Sequence, residues 1–328
     1  MMRPLRVGVL GCADVARRLV IPAMRQVDGI EIVAISSRDA SKAKDFASLF
    51  SCEAVHGYAS LVDRDDINLV YVPLPTGLHA EWVVKCLERG KHVLVEKSMS
   101  LSLRDAETLV GCARRNMVLL KENYMFAYHA QQQAVRRLMA SRVGTVRLFR
   151  ASFGFPPLPS GNFRYDAALG GGALLDCGGY VLKAIEVFFP GAKATVQSAA
   201  LTNSNSGVDI AGAAMLAVES DGIVFPAQVA FGFDHRYQCS IEVWGSNARL
   251  YTDRTFTAGP GVGPSAFLDT PEGTERIGLP ADNHFRNLLE HTVSLVASGI
   301  HEIEYEQLLR QASLQSRVRD IAKESVGG

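Results

Sequence analysis

Over about the first 120 residues, short runs of β-branched and other apolar residues alternate with segments of helical period, the pattern of βαβ units around a parallel sheet. Strands are predicted near residues 5–10, 31–36, 67–73, 92–96 and 117–121. The run INLVYVPLP is apolar on both faces, as a strand covered by helices on each side must be. Between strands, LHAEWVVKCLERG puts Leu78, Trp82, Val83, Cys86 and Leu87 on one helical face and stops at Gly90, a position suited to a left-handed C-cap. SLRDAETLVGCARR opens with Ser102 and Asp105 in capping-box register.

The pattern changes after about residue 122. A helix over 129–141 and a strand near 145–154 lead into the broken loop FPPLPSGNFRYD and then the glycine-rich helix start GGGALLDCGGYVLKAIEVFF. Five longer strand-like runs follow within 192–256, close enough in sequence to pair antiparallel. Helical period returns in NHFRNLLEHTVSLVASG and YEQLLRQASLQSRVRDIAKES. The predicted class is α/β: an N-terminal Rossmann dinucleotide-binding domain over 1–121, then an α+β domain with a large open, mainly antiparallel sheet over 122–303. The last helix, about 304–325, is expected to pack back on the first domain.

Composition narrows the functional classes. The 328 residues carry 34 basic and 34 acidic side chains with no long run of one sign, so neither nucleic acid nor an anionic membrane is an expected partner. With 48% hydrophobic and 21% charged residues, two cores are affordable, and no apolar stretch reaches the ~18 residues of a spanning helix. The first strand begins almost at Met1, which leaves no room for a signal peptide, and a cytoplasmic protein is expected. The six cysteines are scattered without a C-x-x-C pair, so neither a disulfide framework nor a metal site is expected.

The stretch RVGVLGCADVARR has the strand, turn and helix of a dinucleotide-binding fingerprint, although Ala13 replaces its last glycine at the cost of one methyl. A pyrophosphate would sit over the turn formed by Gly11, Cys12, Ala13, Asp14 and Val15, with Asp14 capping a helix whose apolar period runs through Val15, Leu19, Ile21 and Met24. An ordinary strand-to-helix turn is the plainer alternative. At the tip of the second strand stand Ser37 and Arg38, where an acidic residue would repel a ribose 2′-phosphate and a guanidinium binds it. NADP(H) is therefore expected over NAD(H). Asp39 follows directly, either as N-cap of the next helix or, one register away, facing the ribose.

Ligands of a parallel α/β sheet lie at the carboxyl ends of its strands, where PLPTGLH, EKS and KENYMF emerge. Lys97, at the end of the apolar strand HVLVE, is a candidate proton donor, or half of an ion pair with Glu96. Asp176 and Tyr180, four apart on one helix, form a second candidate group, or a core tyrosine with a first-turn aspartate. No nucleophile elbow, Walker loop or metal-binding carboxylate cluster is present, which leaves redox chemistry on a nicotinamide.

Taken in order, VGVLGCADVARR, VYVPLPTGLHAEW, GKHVLVEK and GGGALLDCGGY resemble the glucose-fructose oxidoreductase/inositol dehydrogenase/rhizopine-catabolism family (Gfo/Idh/MocA), and within it the dTDP-sugar 3-ketoreductases of deoxysugar biosynthesis. The resemblance implies NADPH-dependent reduction of the C3 keto group of a nucleotide-linked 3-keto-6-deoxysugar. It places the family lysine on Lys97, the proton-donating tyrosine on Tyr180 and an orienting acid on Asp176. It further implies Leu74, His79 and Glu96 beside the nicotinamide, and Arg164 in a loop reaching the nucleotide. Where the family has proline after the lysine this chain has Ser98, so the aim of Lys97 must come from packing. Other activities of such a fold are dehydrogenation of a free sugar, an inositol or a dihydrodiol, and non-catalytic sensing. The open sheet leads to an expected homodimer or homotetramer.

Overall fold

The computed structural model describes residues 4–326, which divide into two compact units. The first takes the chain up to Asn123 together with Phe285–Ala312; the second takes Tyr124–His284 and the chain from Ser313 on. The segment from Phe285 to residue 303, expected in the second domain, thus groups with the first.

In the first unit six strands, β1 (Leu5–Leu10), β2 (Ile30–Ser37), β3 (Glu53–His56), β4 (Leu69–Val72), β5 (His92–Val95) and β6 (Leu120–Glu122), lie in the order β3-β2-β1-β4-β5-β6. All five pairings are parallel. Every residue of β4 is buried, as its two-sided apolar pattern requires. The chain reverses its direction of winding between β1 and β4, which opens a crevice beyond their carboxyl ends. β3, absent from the predicted strands, is a short edge strand with only Val55 buried.

Helix signals translate into real caps. Ser102 Oγ accepts from Asp105 N–H at 3.1 Å, Asp39 Oδ1 from Lys42 N–H at 3.1 Å, and Gly90 takes φ +68°. The final helix, Glu302–Val326, docks its first turns on β6: Tyr305 Oη donates to Val118 O at 2.6 Å, and Lys121 Nζ, fully buried, meets Glu304 Oε2 at 2.6 Å. Burial works to raise the Glu304 carboxyl, but His291 and Lys121 outweigh it and hold the group at about 2. Stability from this pair is therefore present above the ordinary glutamate value and lost as pH falls toward 2, by about 3 kcal/mol in all. Glu304→Gln is expected to flatten the acid limb of urea-unfolding stability and to cost about 3–5 kcal/mol at pH 7, because the buried Lys121 loses the carboxylate that offsets its charge. An unchanged acid limb would refute the assignment.

The second unit contains β7 (Val146–Gly154), β8 (Lys193–Asn203), β9 (Asp209–Ser220), β10 (Ile223–Gly232), β11 (Gln238–Gly245), β12 (Arg249–Thr252), β13 (Ser265–Thr270) and β14 (Gly273–Gly278). They form one sheet in the order β14-β13-β12-β11-β7-β10-β9-β8. Antiparallel pairing holds throughout except at β7 and β10, which run parallel because β7 inserts between the sequence neighbours β10 and β11. β13 and β14 were not foreseen: their sequence, SAFLDTPEGTERIG, is polar, and β14 is an exposed edge. The helix Gly179–Phe188 packs on β7 and β10, and Phe149, Phe153, Phe225, Phe231 and Phe256 fill the core on that side. Among the described residues no helix is long and apolar enough to cross a membrane.

Candidate active site

β1 runs into Gly11, which takes φ +120°; a Cβ there would come within 2.8 Å of Leu74 Cδ2. Gly11 N–H donates to Ser36 O at 2.9 Å, so the turn is fixed to the end of β2. The first helical bond is Arg17 N–H to Ala13 O at 3.1 Å, and the preceding amides, those of Asp14 and Val15 among them, have no acceptor within the helix. They form the positive end expected over Gly11–Val15. Asp14, expected as the cap, instead pairs with Arg17 at 2.9 Å and Arg18 at 2.6 Å, and the Arg17 hydrogen bond holds its carboxyl below the usual range. Residues Ala16–Val20 form a π-helical turn. That wider turn shifts the buried face to Ala16, Val20, Ile21 and Met24, leaving Val15 and Leu19 only half-buried.

At the tip of β2, Ser37 is buried and accepts from Asp39 N–H at 3.2 Å, while Arg38 is exposed. The Asp39 carboxylate is used as an N-cap, which resolves its two readings. Lys42 lies near the Cys12 thiol, which burial pushes up and Lys42 pulls down, and the Tyr58 phenol hydrogen-bonds Arg38. Cys12, Ser37, Arg38, Lys42 and Tyr58 thus cluster beside Gly11, with two basic side chains among them. Lys42 and Tyr58 escaped sequence reasoning because they follow Arg38 by four and twenty positions, beyond any local motif.

Lys97 lies two residues beyond the end of β5 and is half-buried. Glu96 Oε1 accepts from Tyr71 Oη at 2.7 Å and from Asn123 Nδ2 at 2.6 Å. Burial raises the Glu96 carboxyl, against the pull of Tyr71, Asn123 and Lys97. The peptide Lys97–Ser98 is cis although Ser98 replaces proline, and Ser98 is buried. Met99 N–H donates to Glu122 Oε1 at 2.7 Å, which ties this segment to β6. His79, expected beside the nicotinamide, has no exposed surface; its ring nitrogens face backbone carbonyls of Leu74 and Ser98.

In the second unit, Arg164 lies on the turn Phe163–Tyr165 and donates from Nε to Asp176 Oδ2 at 2.7 Å. Burial works against the Arg164 charge, and Asp176 more than offsets it. Asp176 sits in the π-helical turn Leu174–Gly178, and Tyr180 in the α-helix that continues it. Tyr180 is packed edge-on against Tyr124 and Phe153, with ring centroids 5.4 and 5.0 Å away. The start of this helix is held by Asp209 of β9, whose Oδ2 accepts from Leu174 N–H at 2.5 Å. Only glycine fits at Gly172, φ +117°, since a Cβ would meet Asp209 Oδ1 at 2.5 Å. Nothing local in the sequence points to Asp209. Asp209→Ala is expected to cost about 1–2 kcal/mol in urea unfolding and to lower turnover several-fold, with Asp209→Asn near wild type; equal losses in both would show that the cap is unimportant.

Among the described residues no group of three or more His, Cys, Asp or Glu is arranged to hold a metal ion. A doubly wound parallel sheet, a glycine turn at the end of β1, basic side chains at the tip of β2 and a lysine just past the end of β5 together define a dinucleotide-dependent oxidoreductase of the Rossmann class. The chain belongs to the GFO/IDH/MocA family: residues 5–124 match its oxidoreductase domain with an NAD-binding Rossmann fold, and residues 132–251 its C-terminal domain.

The chain is 43% identical over 287 residues, 87% of its length and 86% of the relative's, to a dTDP-3,4-didehydro-2,6-dideoxy-α-D-glucose 3-reductase of Saccharopolyspora spinosa. A relative of the same name from Actinomadura kijaniata is 40% identical, with 98% of this chain and 96% of the relative covered. The crystal structure of KijD10, a 3-ketoreductase from Actinomadura kijaniata in complex with NADP and TDP-benzene, matches with a TM-score of 0.92 at 40% identity over 97% of each chain. An aldose-aldose oxidoreductase from Caulobacter crescentus, 21% identical with a TM-score of 0.88 over 98% of each chain, shares the fold.

Proposed function

We propose that this protein is an NADPH-dependent 3-ketoreductase that reduces the C3 keto group of a dTDP-linked 3-keto-6-deoxysugar in deoxysugar biosynthesis. The observation that carries the reading is the near full-length similarity, at 40% identity, to a dTDP-3,4-didehydro-2,6-dideoxy-α-D-glucose 3-reductase. The residues present fit the cofactor: Gly11 takes a left-handed φ of +120° that the turn under a pyrophosphate needs, and the β2 tip carries cationic side chains while the Asp39 carboxylate is used as an N-cap. Gly11, Cys12, Ala13, Asp14 and Val15 would hold its pyrophosphate, and Ser37, Arg38 and Lys42 its 2′-phosphate. Leu74 and Glu96 would shape the nicotinamide end, with the buried His79 behind them.

The bound dinucleotide supplies the hydride that C3 of the sugar accepts. Lys97 would stabilise the negative charge that grows on the C3 oxygen, and the Tyr180 hydroxyl would supply the proton. Asp176, held by Arg164, would orient the sugar, and Arg164 would reach the nucleotide portion. We further propose a cytoplasmic homodimer or homotetramer. Supporting it are six cysteines that are all free thiols, and the sheet face that carries exposed Trp244.

The test is NADPH consumption by purified protein with a dTDP-3-keto-6-deoxysugar generated in situ, beside NADH and a panel of free sugars, inositols and diols. Turnover confined to the nucleotide sugar supports the reading. Turnover of free polyols instead, or NADPH binding with no turnover of any substrate, overturns it in favour of a dehydrogenase or a sensor.

A further inference from the structure

His79 is the first residue of the helix His79–Glu88, and its side chain is fully buried. Nδ1 faces the Ser98 carbonyl oxygen at 2.9 Å, and Nε2 faces the Leu74 carbonyl oxygen at 2.7 Å. A neutral imidazole donates through one nitrogen at a time and a protonated one through both; in neither form is there a solvent partner for the ring. Burial pushes the ring down to about 4, against the carbonyls of Leu74, Ser98 and Met99, while Lys97 adds to the downward push.

The two carbonyls belong to different strand-end segments. Ser98 directly follows Lys97, so its backbone carries the end of the reactive segment. Leu74 lies on the segment after β4, and its side chain covers Gly11 of the cofactor turn. A rigid aromatic ring between them fixes the distance from one segment to the other, whereas either segment alone is a loop with freedom to shift. Glu122, through Met99 N–H, ties the Lys97 segment to β6, and Glu96 ties it to Tyr71 and Val72 within β4, but these bonds end before Leu74 and do not engage the Ser98 carbonyl.

We propose that His79 is a positioning residue for Lys97: it sets the backbone of Ser98, and with it the lysine, against the segment whose Leu74 closes over the cofactor turn. The inference rests on the ketoreductase reading for its kinetic readout. It assigns His79 no contact with cofactor or substrate. The ring, held near 4 and so neutral, donates through one nitrogen and packs the other against its carbonyl; an asparagine amide stands where Nδ1 does and a glutamine amide where Nε2 does, so each variant keeps one of the two contacts.

The experiment compares His79→Ala, His79→Asn and His79→Gln for NADPH dissociation constant by fluorescence, kcat and KM for the nucleotide sugar, and thermal midpoint. The Asn variant, which keeps the Ser98 contact, is expected to retain kcat within about 3-fold. The Gln variant is expected to keep NADPH affinity within about 3-fold while kcat falls about 100-fold, the scale of a misplacement of about 1 Å at a reacting group. The Ala variant should lose both. Equal kcat in all three once corrected for folded fraction, or equal losses in Asn and Gln, overturns the proposal. If the wild-type protein leaves nucleotide sugars untouched, the ketoreductase reading falls by itself, and the clamp is read instead from the labelling rate of Lys97 by an amine-directed reagent, measured by mass spectrometry. A several-fold change in Gln and Ala but not in Asn supports the clamp, and identical rates in all variants overturn it.

Discussion

Lys97→Met is expected to lower kcat for the nucleotide sugar by about 1,000-fold while the NADPH dissociation constant moves by less than about 3-fold. Methionine keeps the unbranched stem and removes only the ammonium, so the loss measures charge and proton rather than packing. The surroundings of the lysine support so specific an effect. Glu96 is engaged by Tyr71 and Asn123, and Met99 is tied to Glu122, so the segment on either side of Lys97 is held by bonds that do not involve its side chain. A preorganised cation acts on charge that develops only in the transition state, so removing it lowers kcat without altering binding of the ground state. Tyr180→Phe is the companion: it deletes one oxygen from a ring packed among Tyr124, Phe126, Phe153 and Phe256, so the fold is expected to survive. A Lys97→Met protein with wild-type kcat would remove the lysine from the mechanism. Parallel losses in kcat and NADPH affinity would place it in cofactor binding instead.

The double variant Arg38→Ala, Lys42→Ala is expected to lower kcat/KM for NADPH by about 100-fold and to leave that for NADH within about 3-fold. Each side chain offers a charge-assisted hydrogen bond to a phosphate that NADH lacks, worth about 1.5–3 kcal/mol where shielded and less where exposed. Arg38 is exposed, so the joint effect is set below the sum of two shielded contacts. Salt offers an independent check: the wild-type KM for NADPH should rise with ionic strength, and that dependence should vanish in the double variant. Ser37→Asp should act in the same direction by repulsion, since Ser37 stands at the end of β2 with its hydroxyl turned to the Asp39 amide. Equal losses for both dinucleotides would show that the pocket holds something common to the two, and NADP(H) selectivity would have to be sought elsewhere.

What the sequence determined by itself was local. The apolar runs of β4 and β5 could be nothing but covered parallel strands, Asp39 and Ser102 were legible as caps, and the turn after β1 announced its role through Gly11 and the helix behind it. Lys97 was read within two residues of the true strand end, since the charged pair closing an apolar run marks where the strand leaves the core. These features depend on neighbours within a few positions, where periodicity and turn chemistry act directly.

The tertiary structure decided everything that needed a distant partner. β3 and β14 form as edge strands whose sequences bury little, so only pairing with an existing strand recruits them. β7 was read as a strand but not as the parallel neighbour of β10, because insertion between two sequence neighbours leaves no trace in hydrophobic period. The π-helical turns at Ala16–Val20 and Leu174–Gly178 shift faces that a period of 3.6 residues had assigned. The partners that aim the chemistry, Tyr71 and Asn123 on Glu96, Lys42 and Tyr58 around the β2 tip, Arg164 on Asp176, Asp209 beneath the helix of Tyr180 and the two carbonyls that face His79, are long-range or loop contacts. A chain can place a reactive residue by local pattern, but its orientation is set by hydrogen bonds to groups brought near only when the sheet and its covering helices have packed.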